Sequence, residues 1–229
     1  MIEIDQPQEN FSRNLNYEPQ PRLMQIMLQW IRGLPQEPTN IVDLAAGYGI
    51  EAQELTRQGI ACICQDASAA MIENAVIPIQ YGQVEALNYP MAAFRGALLK
   101  DTLIFLSPQQ RSMMMCGLKR ILSPQGSLLV VSETAPLYII QYFNQLGDSD
   151  YCRYPDFTSM KEKYLQLIAE GSIIKRLIYQ TQPTQLMELA RQHGFTYQSI
   201  VSYTANDTLV AENRWTKNPG FIAQLTKIS

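Results

Sequence analysis

The chain reads as an α/β protein, a doubly wound and mostly parallel sheet that ends in an antiparallel pair. Three observations predict it. Short, nearly continuous apolar runs alternate with helical patterns between residues 39 and 132, the rhythm of βαβ units around a sheet covered on both faces. The first of these runs passes straight into Ala46-Gly47-Tyr48-Gly49, a glycine turn between strand and helix. The next apolar run is followed by Asp66. A glycine turn with an acid at the end of the following strand is how an open α/β sheet holds a nucleotide-like ligand. The glycines let the backbone approach, and the acid takes the ribose hydroxyls.

Each element has a local reason. Residues 19–32 form a helix with apolar positions Leu23, Met24, Ile26, Met27, Leu28, Trp30 and Ile31, ended by Gly33 and Pro35. Residues 39–45 are a buried strand, 50–58 a helix ended by Gly59, and 60–65 the second strand. Ser68 caps a helix running to Asn74. Residues 76–81 form a third strand, placed near an edge or made irregular by Pro78. Residues 95–100 are the fourth strand. Ser107 caps a methionine-rich helix over 108–122 with Pro108 in its first turn. After the turn Ser123-Pro124-Gln125-Gly126, residues 127–132 are the fifth strand. Residues 183–192 form a helix closed by His193-Gly194, and 196–203 and 220–227 are two strands, antiparallel neighbours at the sheet edge. The 229 residues suit one domain: a cap helix over 1–35, a ligand-binding core over 36–135, a Tyr-, Gln- and charge-rich helical insertion over 136–182, and a helix with a strand pair over 183–229.

Composition narrows the function. The net charge is −3 and the Lys and Arg residues are scattered, so no electrostatic footprint for nucleic acid is visible. No apolar run reaches membrane-spanning length, and the acidic start Met-Ile-Glu-Ile-Asp-Gln is unlike a signal peptide. A cytoplasmic protein is the default expectation. Cys62, Cys64, Cys116 and Cys152 lack the spacing of a metal site and read as packing thiols in a reducing compartment, with Cys62 and Cys64 on one side of their strand. His193, the sole histidine, fits a helix C-terminus. Met24, Met27, Met113, Met114 and Met115 read as core fillers.

Gly47-x-Gly49-x-x-Ala52 formally fits a dinucleotide fingerprint, but Asp43 before the turn makes the pattern Asp-x-Ala-x-Gly-x-Gly. That pattern resembles motif I of class I S-adenosylmethionine-dependent methyltransferases, with Ala45 in place of the first glycine. Asp66, Gly82-Gln83-Val84-Glu85, Phe94-Arg95-Gly96-Ala97-Leu98, Leu118-Lys119-Arg120-Ile121-Leu122-Ser123-Pro124-Gln125-Gly126 and the final strand pair match the family in order. The resemblance implies a Rossmann-like, seven-stranded sheet with a helical lid over 136–182, and S-adenosylmethionine as cofactor. The cofactor-binding set it implies is Tyr17, Asp43, Ala45, Gly47, Gly49, Asp66, Ala67, Gln83, Val84 and Lys100. Gln83 stands where the family carries an acid near the adenine amino group, and Tyr17 where an aromatic residue closes the pocket.

Lys100-Asp101-Thr102-Leu103-Ile104-Phe105 follows the fourth strand and is similar to the Arg-Asp-x-x-x-His stretch of small-molecule N-methyltransferases, with Phe105 where they carry a catalytic His. Asp101 is therefore a candidate to face the cofactor and an amine; its plainer reading is a cap for a short turn. Glu133, at the end of the fifth strand, is a second candidate to orient or deprotonate a substrate. Among the lid tyrosines Tyr138, Tyr142, Tyr151 and Tyr154, none stands out. The expected reaction is methyl transfer to N or O of a small-molecule acceptor by in-line displacement, a reaction that needs alignment and water exclusion before it needs a base. No metal, nucleic-acid partner or membrane is expected, and the oligomeric state is not legible. The alternatives are a NAD-dependent oxidoreductase and a non-catalytic S-adenosylmethionine-binding module.

Overall fold

The computed structural model describes residues 21–133, 183–203 and 220–228. Its strands are β1 (Ile41–Leu44), β2 (Cys62–Asp66), β3 (Gln80–Tyr81), β4 (Phe94–Lys100), β5 (Leu122–Glu133), β6 (Phe195–Tyr203) and β7 (Gly220–Lys227). Its helices are α1 (Pro21–Arg32), α2 (Ile50–Arg57), α3 (Ala69–Glu73), α4 (Pro108–Ile121) and α5 (Pro183–Gln192). The strands form one sheet in the order β3-β2-β1-β4-β5-β7-β6. β1, β2, β3, β4 and β5 pair in parallel, and β7 is antiparallel to both β5 and β6. The order reverses between β1 and β4, which puts the ligand crevice at the carboxyl ends of those two strands.

Two boundaries depart from the sequence-based expectation. β3 shrinks to two residues at the sheet edge, because Pro78 has no N–H to give to a ladder. The expected turn at 123–126 lies inside β5: pairing with β4 starts at Phe94↔Leu122, shifts, and resumes at Gly96↔Ser127, with Gln125 at φ 61°. It is a bulge rather than a strand start. As expected, β6 and β7 are antiparallel neighbours at the other edge, with β7 inserted between β6 and β5.

Parallel strands covered on both faces give two cores. On one face, Val42, Leu44, Ala97, Leu99, Leu128 and Val130 pack with α4 and α5 through Met114, Met115, Leu118, Leu186 and Ala190. On the other, Ile41, Leu98, Leu129 and Val131 pack with α1 through Leu23, Met24, Met27, Trp30 and Ile31. Those α1 positions recur at helical spacing. Four of the five methionines read as fillers are buried, whereas Met113 is 47% exposed. Gly96 lets α1 approach β4: a Cβ there would lie 2.7 Å from Leu34 Cδ1 and 2.9 Å from Trp30 Cη2. The Trp30 indole N–H donates to Ser127 Oγ at 3.1 Å. α4 starts in a capping box, with Ser107 Oγ accepting from the Gln110 N–H and Gln110 Oε1 accepting from the Ser107 N–H. Among the described residues no helix is long and apolar enough to cross a membrane.

Candidate functional site

The turn after β1 is built from three left-handed residues, Ala45 (φ 58°), Gly47 (φ 58°) and Gly49 (φ 75°). Ala45 thus holds a glycine conformation with a methyl group attached, a strain of about 1–2 kcal/mol. The two glycines do different work. At Gly49 a Cβ would lie 2.7 Å from Ile77 Cγ1; at Gly47 it would meet nothing within 4 Å. Gly49 is required by packing inside the protein, and Gly47 borders open space at the crevice. Asp66, 8% exposed, ties the turn to β2. Its Oδ2 accepts from the Gly47 N–H at 2.8 Å and its Oδ1 from the Ser68 N–H at 2.8 Å. Asp66 is expected as a ligand acceptor; in the structure its carboxylate organises the glycine turn.

Behind this turn lies a buried polar cluster on the α1 and α2 side. Parallel register sets Asp43 beside Cys64. Burial, then Cys64 and Glu51, push the Asp43 carboxyl well above its ordinary value. A neutral acid is the cheaper species there, because an ion in this position has lost its water. Cys62 and Cys64 share a hydrogen bond that holds the proton on Cys62 and lowers Cys64, in keeping with their place on one side of the strand. Lys100 Nζ stands 3.3 Å from Glu51 Oε1 and 3.1 Å from Asp101 Oδ2. It therefore links the first turn of α2 to the end of β4, across the point where strand order reverses.

Asp101 follows the end of β4 in the crevice. It has φ 51°, its N–H donates to the Val131 carbonyl at 2.8 Å, and its Oδ1 is buried with no hydrogen-bond partner among the described residues. A left-handed β-strand terminus with an unsatisfied carboxylate oxygen is an expensive arrangement. Asp101 is not a cap: the 3-10 turn Leu103–Phe105 begins from Thr102, without a side-chain cap bond. Sequence reasoning missed the group that holds this turn. Arg111, buried on α4, donates from Nε and Nη2 to the Leu103 carbonyl at 3.2 and 2.7 Å. The signal was present, because Arg111 shares the 111, 114, 115, 118 spacing of the buried face of α4.

The remaining candidates divide. Ala67 and Gln83 are exposed, and the Gly82 N–H bonds to the Asp66 carbonyl at 3.0 Å, which brings Gln83 to the end of β2. Val84 instead buries its side chain in the α4-side core. Gln65, 3% exposed, has a buried Nε2 with no partner among the described residues. Phe105 is 42% exposed. The Glu133 backbone pairs with Gly220 at the end of β5. Tyr17, the four lid tyrosines, Cys152 and the insertion at 136–182 lie outside the described residues, and so does the Glu133 side chain. Among the described residues, no group of three metal-ligating side chains converges.

Residues 42–130 match a methyltransferase domain family. A stretch of 112 residues is 28% identical to carboxy-S-adenosyl-L-methionine synthase of Pseudomonas putida (strain W619), covering 42% of this chain and 45% of that protein, so the match spans less than half of the relative's length. Among solved structures, a S-adenosylmethionine-dependent methyltransferase of Methanosarcina mazei has a TM-score of 0.61 at 17% identity, over 93% of this chain and 99% of that one. Magnesium protoporphyrin IX methyltransferase of Synechocystis PCC 6803, with bound S-adenosylhomocysteine, has a TM-score of 0.57 at 13% identity, over 90% and 82%. The strand order 3-2-1-4-5-7-6 and the Asp-x-Ala-x-Gly-x-Gly turn at its switch point thus lie in a chain whose residues 42–130 are similar to a methyltransferase domain and whose fold is that of S-adenosylmethionine-dependent methyltransferases.

Proposed function

We propose that this protein transfers a methyl group from S-adenosylmethionine to a nitrogen or oxygen of a small molecule. The observation that carries the reading is Asp101 Oδ1, buried, without a partner among the described residues, and carried at the switch point on a strained backbone. The crevice suits the cofactor: Gly47 opens onto free space, and Gln65 Nε2 and Asp101 Oδ1 are both buried polar atoms without a partner among the described residues. Asp66 keeps lone pairs beyond the two that its backbone donors use, enough for ribose hydroxyls. Asp43, Ala45, Gly47, Gly49 and Ala67 would shape the methionine and ribose end, Gln83 and the backbone of Val84 the adenine end, and Tyr17 would close it. The insertion at 136–182 would act as the substrate lid.

The bound cofactor would supply an activated methyl on a sulfonium. The protein's part is placement. Asp101 would accept a hydrogen bond from the attacking amine or hydroxyl, and its charge would stabilise positive charge developing on that atom. Lys100 holds Asp101 in place through Oδ2, and Arg111 fixes the turn behind it. Glu133 is the candidate to remove a proton. The net charge of −3 and dispersed basic residues favour a small molecule over nucleic acid.

A second reading has one observation in its favour. The sequence relative is a carboxy-S-adenosyl-L-methionine synthase, and the Lys100 ammonium beside Asp101 could hold an incoming carboxylate. Mass spectrometry separates the two. The purified chain is incubated with S-adenosylmethionine and pools of small amines, phenols and carboxylates. S-adenosylhomocysteine with a methylated acceptor supports methyl transfer; a cofactor heavier by one carbon dioxide supports the second reading. With the acceptor found, Asp101→Asn should lower kcat by about tenfold or more while S-adenosylhomocysteine affinity holds, the mark of an interaction made in the transition state. Equal turnover would overturn the role of Asp101.

A further inference from the structure

A second set of reactive side chains lies between α4 and α5, and methyl transfer makes no use of it. The His193 ring sits between two side chains of α4: its Nε2 is 3.0 Å from Ser112 Oγ and its Nδ1 is 3.4 Å from Cys116 Sγ. Ser112 and Cys116 are four residues apart and share one helix face. The backbone of His193 is held by Leu189 and Ala190 and followed by Gly194 at φ 79°, so the ring stands on a closed helix end rather than a loose loop. Lys119, one turn beyond Cys116, lies against the same corner, since a Cβ on Gly194 would be 2.9 Å from its Nζ. Cys116 is exposed, while Cys64 is buried and Cys62 partly so. The reading of Cys116 as a packing thiol is thereby corrected.

A nucleophile, a base within reach and a third group orienting the base form the pattern of an activated side chain. When Nε2–H donates to Ser112 Oγ, the lone pair of Nδ1 faces the Cys116 S–H. We propose that Cys116 is a reactive thiol, with His193 as its base and Ser112 as the positioning residue, and that it is a site of reversible modification by peroxide and small thiols. Cys116 sulfur attacks one oxygen of hydrogen peroxide as Nδ1 takes the thiol proton. The O–O bond breaks, the departing hydroxide takes that proton back, and the products are a sulfenic acid and water. A small thiol then attacks the sulfenic sulfur and releases a second water, leaving a mixed disulfide on Cys116. The Lys119 ammonium at the same corner favours the negative charge on sulfur as the thiol proton moves to Nδ1, before that charge passes to the departing oxygen.

The test uses the full chain and needs no methyl acceptor. Peptide-mapped alkylation by iodoacetamide is timed against free glutathione, and peroxide with glutathione is followed by intact mass. Cys116 should react faster than glutathione and carry the first adduct. His193→Gln should slow Cys116 by about tenfold or more, the reach of a positioned base. Ser112→Ala should slow it by less, with the protein folded by circular dichroism. A Cys116 rate unchanged in both variants, or a first adduct on another cysteine, would overturn the proposal. Neither outcome bears on the crevice, whose reading is tested by turnover.

Discussion

The ends of β1 and β4 are neighbours in the sheet and both turn through a left-handed non-glycine residue, Ala45 at φ 58° and Asp101 at φ 51°. They differ in what their acids do. Beside β1, each oxygen of Asp66 accepts from one backbone N–H group, so the turn is held within the protein while lone pairs of the carboxylate stay open. At β4, one oxygen of Asp101 pairs with Lys100 and the other is buried without a partner among the described residues. One side of the crevice is a finished frame, and the other holds an acceptor in want of a donor. A ligand site needs both, because a frame alone fixes position and an unsatisfied group alone would collapse.

The two glycines of the frame give the largest test. Gly49→Val should destabilise by about 3 kcal/mol, from the left-handed backbone and the contact with Ile77, read as a lowered urea midpoint. Gly47→Ala should cost only about 1 kcal/mol of stability, yet weaken S-adenosylhomocysteine binding at least tenfold by calorimetry. Equal stability losses in the two variants would erase the distinction drawn between packing glycine and ligand-facing glycine.

Next in size is Asp66→Asn. It swaps an acceptor for a donor against the Gly47 or Ser68 N–H, and should cost about 1–3 kcal/mol. Loss of affinity without loss of stability would reduce Asp66 to a ligand acceptor and break the comparison from the β1 side.

The smallest effect concerns Asp43. Its carboxyl is raised above 3.8 in the folded chain, so the native state holds a proton that the unfolded chain gives up. The stabilising contribution is full below about pH 3.8 and is lost as the pH climbs from there through the folded value. Asp43→Asn does not titrate. Its melting temperature relative to wild type should therefore become more favourable from pH 4 to pH 7. A difference independent of pH would mean that Asp43 is ionised in the folded state.

The sequence by itself determined the class of fold and the place of the glycine turn after β1. Buried parallel strands are continuous apolar runs, the glycine turn follows β1 by covalent continuity, and β7 was placed at residues 220–227 as found. Ser107 and Ser68 were legible as caps because a cap is a local bond. What only the tertiary structure decided is whatever depends on distant chain segments meeting. Asp66 reaches Gly47 across 19 residues, Arg111 reaches Leu103 from another element, and His193 reaches Ser112 across 81 residues and Cys116 across 77. Local pattern records the period and the polarity of a residue. It does not record which polar group from elsewhere meets it, and that pairing decides whether Asp66 is satisfied, Asp101 left wanting and Cys116 armed.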